Sequence, residues 1–370
     1  RPRMLGRGPM NETSDITVTG LKIAARQARM MAELMPRPAV PASLPPRQNY
    51  RAIDDFDADT ERATPLDRMA QVGRTIMQAH KDGLLASGYV ATSFGGVGIG
   101  TDADTPYALA NTHGLAAYHA GTRASMSVTM RRADGATGWA DGQAFALGAL
   151  DAQGLLERAV AKAKVAGEPR TLAPGPYTVV LEPAAVAGLL EYVGHLAGSE
   201  DVEAGRSFLT GKSGQTITGP GVTIVDDFGA LLHRGAPFDL EGIARRRVPL
   251  IEGGVARGPV YGFARARAAG AEPTGHARVS PVFGEGEAAE HLVMSGGDAS
   301  LESLVATTPR GVLISRLWYV RLVEPRTLTI TAVTRDGTFL VEDGRIVARV
   351  RDMRINLSVL DRSEERRVGK

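Results

Sequence analysis

Glu191 and His195 stand four residues apart in the run Val179-Val-Leu-Glu-Pro-Ala-Ala-Val-Ala-Gly-Leu-Leu190-Glu191-Tyr-Val-Gly194-His195, which reads as a hydrophobic strand feeding a helix. On a helix that spacing brings a carboxylate and an imidazole to one face. Zinc hydrolases use such a face for metal-binding histidines and a Glu that takes a proton from the bound water. The hexapeptide Leu190-Glu191-Tyr192-Val193-Gly194-His195 has the length of HExxxH, but Leu190 occupies the place of the first His. A leucine methyl neither ligates zinc nor tolerates a desolvated cation beside it. Spacing alone leaves two accounts open. One is an apolar core helix that happens to carry Glu191 and His195. The other is a metal site in which a third group, such as His233, His276 or Asp226, joins them.

Other constellations point less far. Gly95-Gly-Val-Gly-Ile-Gly100 has GxGxG spacing rather than GxGxxG, and no helix opens from it, so a glycine-rich loop or hairpin tip is expected. Gly205 to Ser213 imitates a phosphate loop, but five residues separate its outer glycines where four are needed, Arg206 replaces a required glycine, and the preceding segment is acidic. His113 and His119 are six apart, which suits neither face of one helix, and His80, His195, His233, His276 and His291 are scattered. Asp226-Asp227 ends a strand, where it reads as a capping turn or as a cation or base site.

The elements that must position these residues can be read from periodicity. Leu21 to Leu34 is an amphipathic helix, followed by a proline-rich link and the acidic turn Asp54, Asp55, Asp57, Asp59. Thr64-Pro65 opens a second helix, with Thr64 as cap and Asp67 in the first turn. From Gly88 to Ala146 the pattern alternates, most clearly over Ser125 to Met130, and Asp151 to Ala166 returns to helix. The segment LAPGP at Leu172 to Pro176 marks a boundary. It divides the chain into an N-terminal α+β domain over 15–172, a β-rich C-terminal domain over 173–361, and a charged tail over 362–370. That tail changes character abruptly and is expected to be non-native, a solvated native charge run being the alternative. Beyond the boundary come a strand over Tyr177 to Leu181, a helix around Ala184 to Leu196 and a strand at Val222 to Val225. Three β runs then follow, Thr327 to Val333, Thr338 to Glu342 and Arg345 to Val350. Asp336-Gly337 and Asp343-Gly344 separate them, and both read as hairpin turns of an antiparallel meander. The fold class is therefore α+β, with helical and mixed structure first and antiparallel sheet with hairpins last.

Composition bounds the function. At 370 residues with 43% hydrophobic content the chain buries a sizeable core, and 43 Lys and Arg against 41 Asp and Glu give a net charge of +2. No basic block sits mid-chain, so nucleic acid is not an expected partner. Cysteine is absent, which removes disulfides, thiolate metal ligands and a Cys nucleophile from these residues. No apolar run approaches membrane-spanning length and no signal segment is visible, so a soluble cytoplasmic protein is expected.

Several segments together resemble the TldD/PmbA (TldD/TldE) family of metallopeptidase-related proteins. They are the strand-helix run above, Glu203-Ala-Gly-Arg-Ser-Phe208, Val222-Thr-Ile-Val-Asp-Asp227, Pro237-Phe-Asp-Leu-Glu-Gly242, Arg246-Arg-Val-Pro-Leu-Ile-Glu-Gly-Gly254, Thr274-Gly-His276 and Thr334-Arg-Asp-Gly-Thr-Phe-Leu-Val-Glu-Asp-Gly344. The resemblance is ordered from about Leu21 to Leu360. It implies one of two kinds of subunit: a TldD-type zinc peptidase built on HExxxH plus a downstream Cys, or a PmbA/TldE-type partner lacking that set. Aligned without a gap from Val179-Val-Leu181, the family's His, Glu and His fall on Glu191, Tyr192 and Leu196; shifted by one residue they fall on Leu190, Glu191 and His195. Neither register supplies two histidines, and the part of the family that carries the downstream Cys begins near where these residues stop. The resemblance thus implies a non-catalytic subunit closer to PmbA/TldE. Its expected partner is a zinc-carrying TldD-type subunit or a second copy of itself, its expected substrate a small or unfolded peptide, and no cofactor is expected in this chain. The alternative is an active metallopeptidase with a non-standard site that includes Glu191 and His195.

Overall fold

A computed structural model describes residues 13–34, 43–95, 107–231, 234–280 and 284–360. The glycine run after Gly95, His233 and the 362–370 tail lie outside them. The helix expected at Thr64-Pro65 is present over Pro65–Lys81. Asp67 N–H donates to the Thr64 hydroxyl at 3.3 Å while Thr64 N–H donates to the Asp67 carboxylate at 2.8 Å, a reciprocal cap behind a proline at the first helical position. Beside it an antiparallel sheet runs in the order Leu85–Gly95, Gly121–Arg131, Thr137–Ala144. In the central strand Ala124, Met126, Val128 and Met130 are buried, while Ser125, Ser127 and Thr129 take the other face, as a period of two requires. Val72 and Ala79 cover that apolar face together with Leu155, Leu156, Ala159 and Ala163 of the helix Ala152–Ala163. That helix lies directly on the sheet at Gly138, where a side chain would overlap the Ala159 carbonyl oxygen. It ends one turn before the predicted Ala166, because Lys164 caps it.

The second half joins a meander of consecutive strands to long-range pairings. Strand Val179–Leu181 lies parallel to residues 312–314 of the long strand Arg310–Glu324, which pairs antiparallel with Thr329–Glu342. Thr329–Glu342 in turn takes Arg345–Arg349 and Arg354–Ser358 along its other edge. Asp343-Gly344 makes the predicted hairpin, both residues at positive φ (49° and 73°), as the tight primed turn demands. Asp336-Gly337 does not turn the chain. Ser315 faces two residues there, so the dipeptide forms a bulge within one continuous strand, with Asp336 at φ 52° and Gly337 packed on the Ser315 hydroxyl. A second sheet runs in the order Leu292–Met294, Ile224–Asp226, Val248–Glu252, Val255–Ala256. Helix Pro183–His195 packs its Leu189, Tyr192 and Val193 into a core with Phe208, Leu250, Ile251, Leu328 and Ile330. Glu182 joins the halves by accepting from Lys162 Nζ at 2.6 Å and from the Ser315 hydroxyl at 2.7 Å. The fold is α+β. Among the described residues, no helix is long and apolar enough to cross a membrane.

Candidate functional site

Proline at its start and eleven apolar or small residues among thirteen make Pro183–His195 a helix whose last turn buries Tyr192, Val193 and Gly194 and leaves Glu191 exposed. Glu191 and His195 meet there as expected from their spacing, His195 Nε2 lying 3.4 Å from Glu191 Oε1. Glu191 keeps 61% of its side chain exposed while His195 keeps 17%. The hydrogen bond with His195 holds the Glu191 carboxyl below its ordinary range against partial burial. The His195 ring stands edge-on to Tyr192, whose hydroxyl donates to the Val320 carbonyl at 2.7 Å. Leu190 packs against the core of this half. It lines an apolar cavity of about 1020 Å³ walled by Leu181, Val186, Ile224, Met294 and Ile314 among others.

Asp226 and His276 are brought together, but with each other. His276 Nε2 lies 3.0 Å from Asp226 Oδ1, with both side chains fully buried. His276 Nδ1 lies 2.9 Å from the Thr274 hydroxyl, and His291 N–H donates to Asp226 Oδ2 at 2.8 Å. Burial alone would raise the Asp226 carboxyl. His276, with His291 and Arg245 behind it, overcomes burial and holds that carboxyl far below the carboxylate range. Arg245, itself buried, pairs with Glu290 at 2.9 Å. Gly235 leaves the room that the His291 ring fills.

Asp239 staples the adjoining loop by accepting from Glu241, Ile243 and Ala277 N–H groups at 3.0, 2.9 and 2.8 Å. The motifs Pro237 to Gly242 and Thr274 to His276 therefore act as a buried polar scaffold. Sequence reading did not connect His291, Arg245 and Glu290 to it. Sixty-five residues separate Asp226 from His291, and no local pattern spans that distance.

Zinc, the metal implied by the family resemblance, requires three protein ligands or more. Among the described residues no such set is assembled. The helix offers Glu191 and His195, Leu190 belongs to an apolar wall, and among the described residues no three His, Asp or Glu side chains form a metal-holding group. Of the third groups considered, Asp226 and His276 engage each other, and His233 lies outside the described residues.

A family model described as the PmbA/TldA metallopeptidase C-terminal domain matches residues 174–365, and one for the central domain matches residues 59–166. A metalloprotease from Methanothermobacter thermautotrophicus is 27% identical over 190 residues, covering 50% of this chain and 41% of that protein. An uncharacterized protein from Methanocaldococcus jannaschii is 39% identical over 102 residues, covering 27% of this chain and 24% of its own. The chain thus spans less than half the length of these curated relatives. Among solved structures, TldE from Thermococcus kodakarensis superposes with a TM-score of 0.78 at 24% identity, over 92% of this chain and 76% of that one. A Thermotoga maritima MSB8 protein proposed as a modulator of a DNA gyrase gives 0.74 at 21%, with the same coverages. At such identities the superpositions speak for the fold. The C-terminal model takes in more than half of the sequence and the central model most of what precedes it, so this chain belongs to the PmbA/TldD metallopeptidase family.

Proposed function

We propose that this chain is the PmbA/TldE-type, non-catalytic subunit of a cytoplasmic assembly that processes small or unfolded peptides. Zinc and the hydrolytic step would belong to a TldD-type partner, and this chain would supply structure and peptide-binding surface. The observation that carries the reading is Leu190 in an apolar wall, at the helical position where the zinc-peptidase pattern needs a histidine, beside a two-membered Glu191–His195 pair. The division into 15–172 and 173–361 belongs to the same reading. A second copy of the chain is the other partner considered.

The test is elemental analysis of the protein purified without any TldD-type subunit, followed by incubation with an unfolded peptide. Essentially no zinc and no cleavage, with cleavage appearing on addition of a TldD-type subunit, is the expected result. About one zinc per chain that is lost in His195→Ala, with chelator-sensitive cleavage by the chain alone, would replace it with the active-enzyme reading.

A further inference from the structure

Trp318 and Tyr319 are neighbours in the strand Arg310–Glu324, and in a regular strand their side chains would point to opposite faces. Instead their rings meet edge to face with centroids 5.6 Å apart. The cause is local: the pairing register with Thr329–Glu342 shifts between Trp318 and Arg321, and Tyr319 takes a φ of 48°. A bulky aromatic residue rarely occupies that region, and such an outlier persists only where the surroundings enforce it. The enforcing contact is the Tyr192 hydroxyl on the Val320 carbonyl, which ties the bulge to the helix bearing Glu191 and His195.

The result is an exposed group of the residue types that dominate binding hot spots. Trp318 is 41% exposed, Tyr319 63% and Val323 60%. Arg335 stands 4.7 Å over the Trp318 ring and Arg321 stands 5.7 Å over the Tyr319 ring. The guanidiniums differ in their partners. Arg316 and Arg335 both pair with Asp336. Arg321 donates to the Val320 carbonyl beside the Tyr192 hydroxyl, and among the described residues no carboxylate lies within ion-pair distance of it. A cation on an aromatic platform, lacking an anion of its own, is complementary to a carboxylate held against apolar groups.

We propose that Trp318, Tyr319 and Arg321 form an anchoring site for an acidic side chain of an extended peptide. Arg321 takes the carboxylate, and the two rings hold the neighbouring backbone and side chains. The inference rests on the peptide-handling reading above, and it is tested by binding rather than cleavage, so the two fail separately.

The probe is an unstructured Ala/Gly peptide with two central glutamates and blocked ends. By calorimetry against the isolated chain it is compared with the same peptide carrying glutamines, and with a glutamine peptide whose C-terminus is free. The glutamate peptide should bind at least about tenfold tighter than either, and Arg321→Gln should remove that preference. Tyr319→Gly should weaken binding of the glutamate peptide while leaving Tm unchanged or higher, because glycine relieves the positive φ. Equal affinities for glutamate and glutamine peptides, or binding confined to the free chain end, overturn the proposal. A lowered Tm in Tyr319→Gly would also overturn it, since packing rather than ligand binding would then account for the strained residue. Zinc retention or cleavage by the chain alone would displace the non-catalytic reading without touching these affinities.

Discussion

Asp226 is ionised in a fully buried position because His276, His291 and Arg245 surround it. Its pKa lies below that of an unfolded aspartate, so its contribution to stability is complete above about pH 4 and is lost as pH falls below that. Asp226→Asn keeps the shape but leaves His276 facing an amide, and removing one partner of a buried pair costs about 3–5 kcal/mol. Urea denaturation at neutral pH should show that loss. Repeated toward pH 3, it should show a shallower decline in the variant than in the parent, because one carboxylate that must be protonated on unfolding is gone. Glu191 is the contrasting case. Its carboxyl is also lowered, but it stands mostly in solvent, and Glu191→Gln should leave stability almost unchanged. None of the Asp226 arrangement could be read in the sequence, where Asp226-Asp227 suited a turn cap as well as an ion site.

At the scale of elements, what was legible is what is local. The helix Pro65–Lys81 follows from Thr64, Pro65 and Asp67, and the central strand Gly121–Arg131 follows from its alternation. The two Asp-Gly dipeptides show where such reading ends. Asp343-Gly344 turns the chain, whereas Asp336-Gly337 only bulges it, because the partner strand Arg310–Glu324 runs on past Ser315 and holds both flanks. The parallel pairing of Val179–Leu181 with residues 312–314 spans more than a hundred residues and leaves no periodic trace. The short helices Ser199–Glu203, Phe263–Ala269 and Leu301–Ala306 are too brief to show one. The Glu191–His195 pair was legible from spacing, but that no metal-holding group of three His, Asp or Glu forms among the described residues needed the fold. Contact between elements sets a further expectation. Gly138→Ala forces the helix Ala152–Ala163 away from its sheet and should cost about 1–3 kcal/mol or more in thermal or urea unfolding, while Gly148→Ala, with open space around it, should be near neutral.

Over the whole molecule, the two halves differ in how they hold together. The first rests two helices on a three-stranded sheet, and the second gathers consecutive strands around one of them, with the distant Val179–Leu181 fastened at the sheet edge. Thr329–Glu342 has Arg310–Glu324 along one edge and both Arg345–Arg349 and Arg354–Ser358 along the other, and its Ile330, Ala332 and Leu340 are almost wholly buried. No single edge can peel away and release it. Its amides should therefore exchange with solvent among the slowest in the chain, through openings whose free energy approaches that of global unfolding, as hydrogen-exchange mass spectrometry would resolve. The rings of Trp318 and Tyr319 ride on the strand fastened to this one. A peptide arriving there meets a platform whose backbone is already immobile. Nearly all the freedom surrendered on association is then the peptide's own, and exchange across Thr329–Glu342, which needs near-global opening, should slow with bound peptide only by the factor that its binding free energy sets.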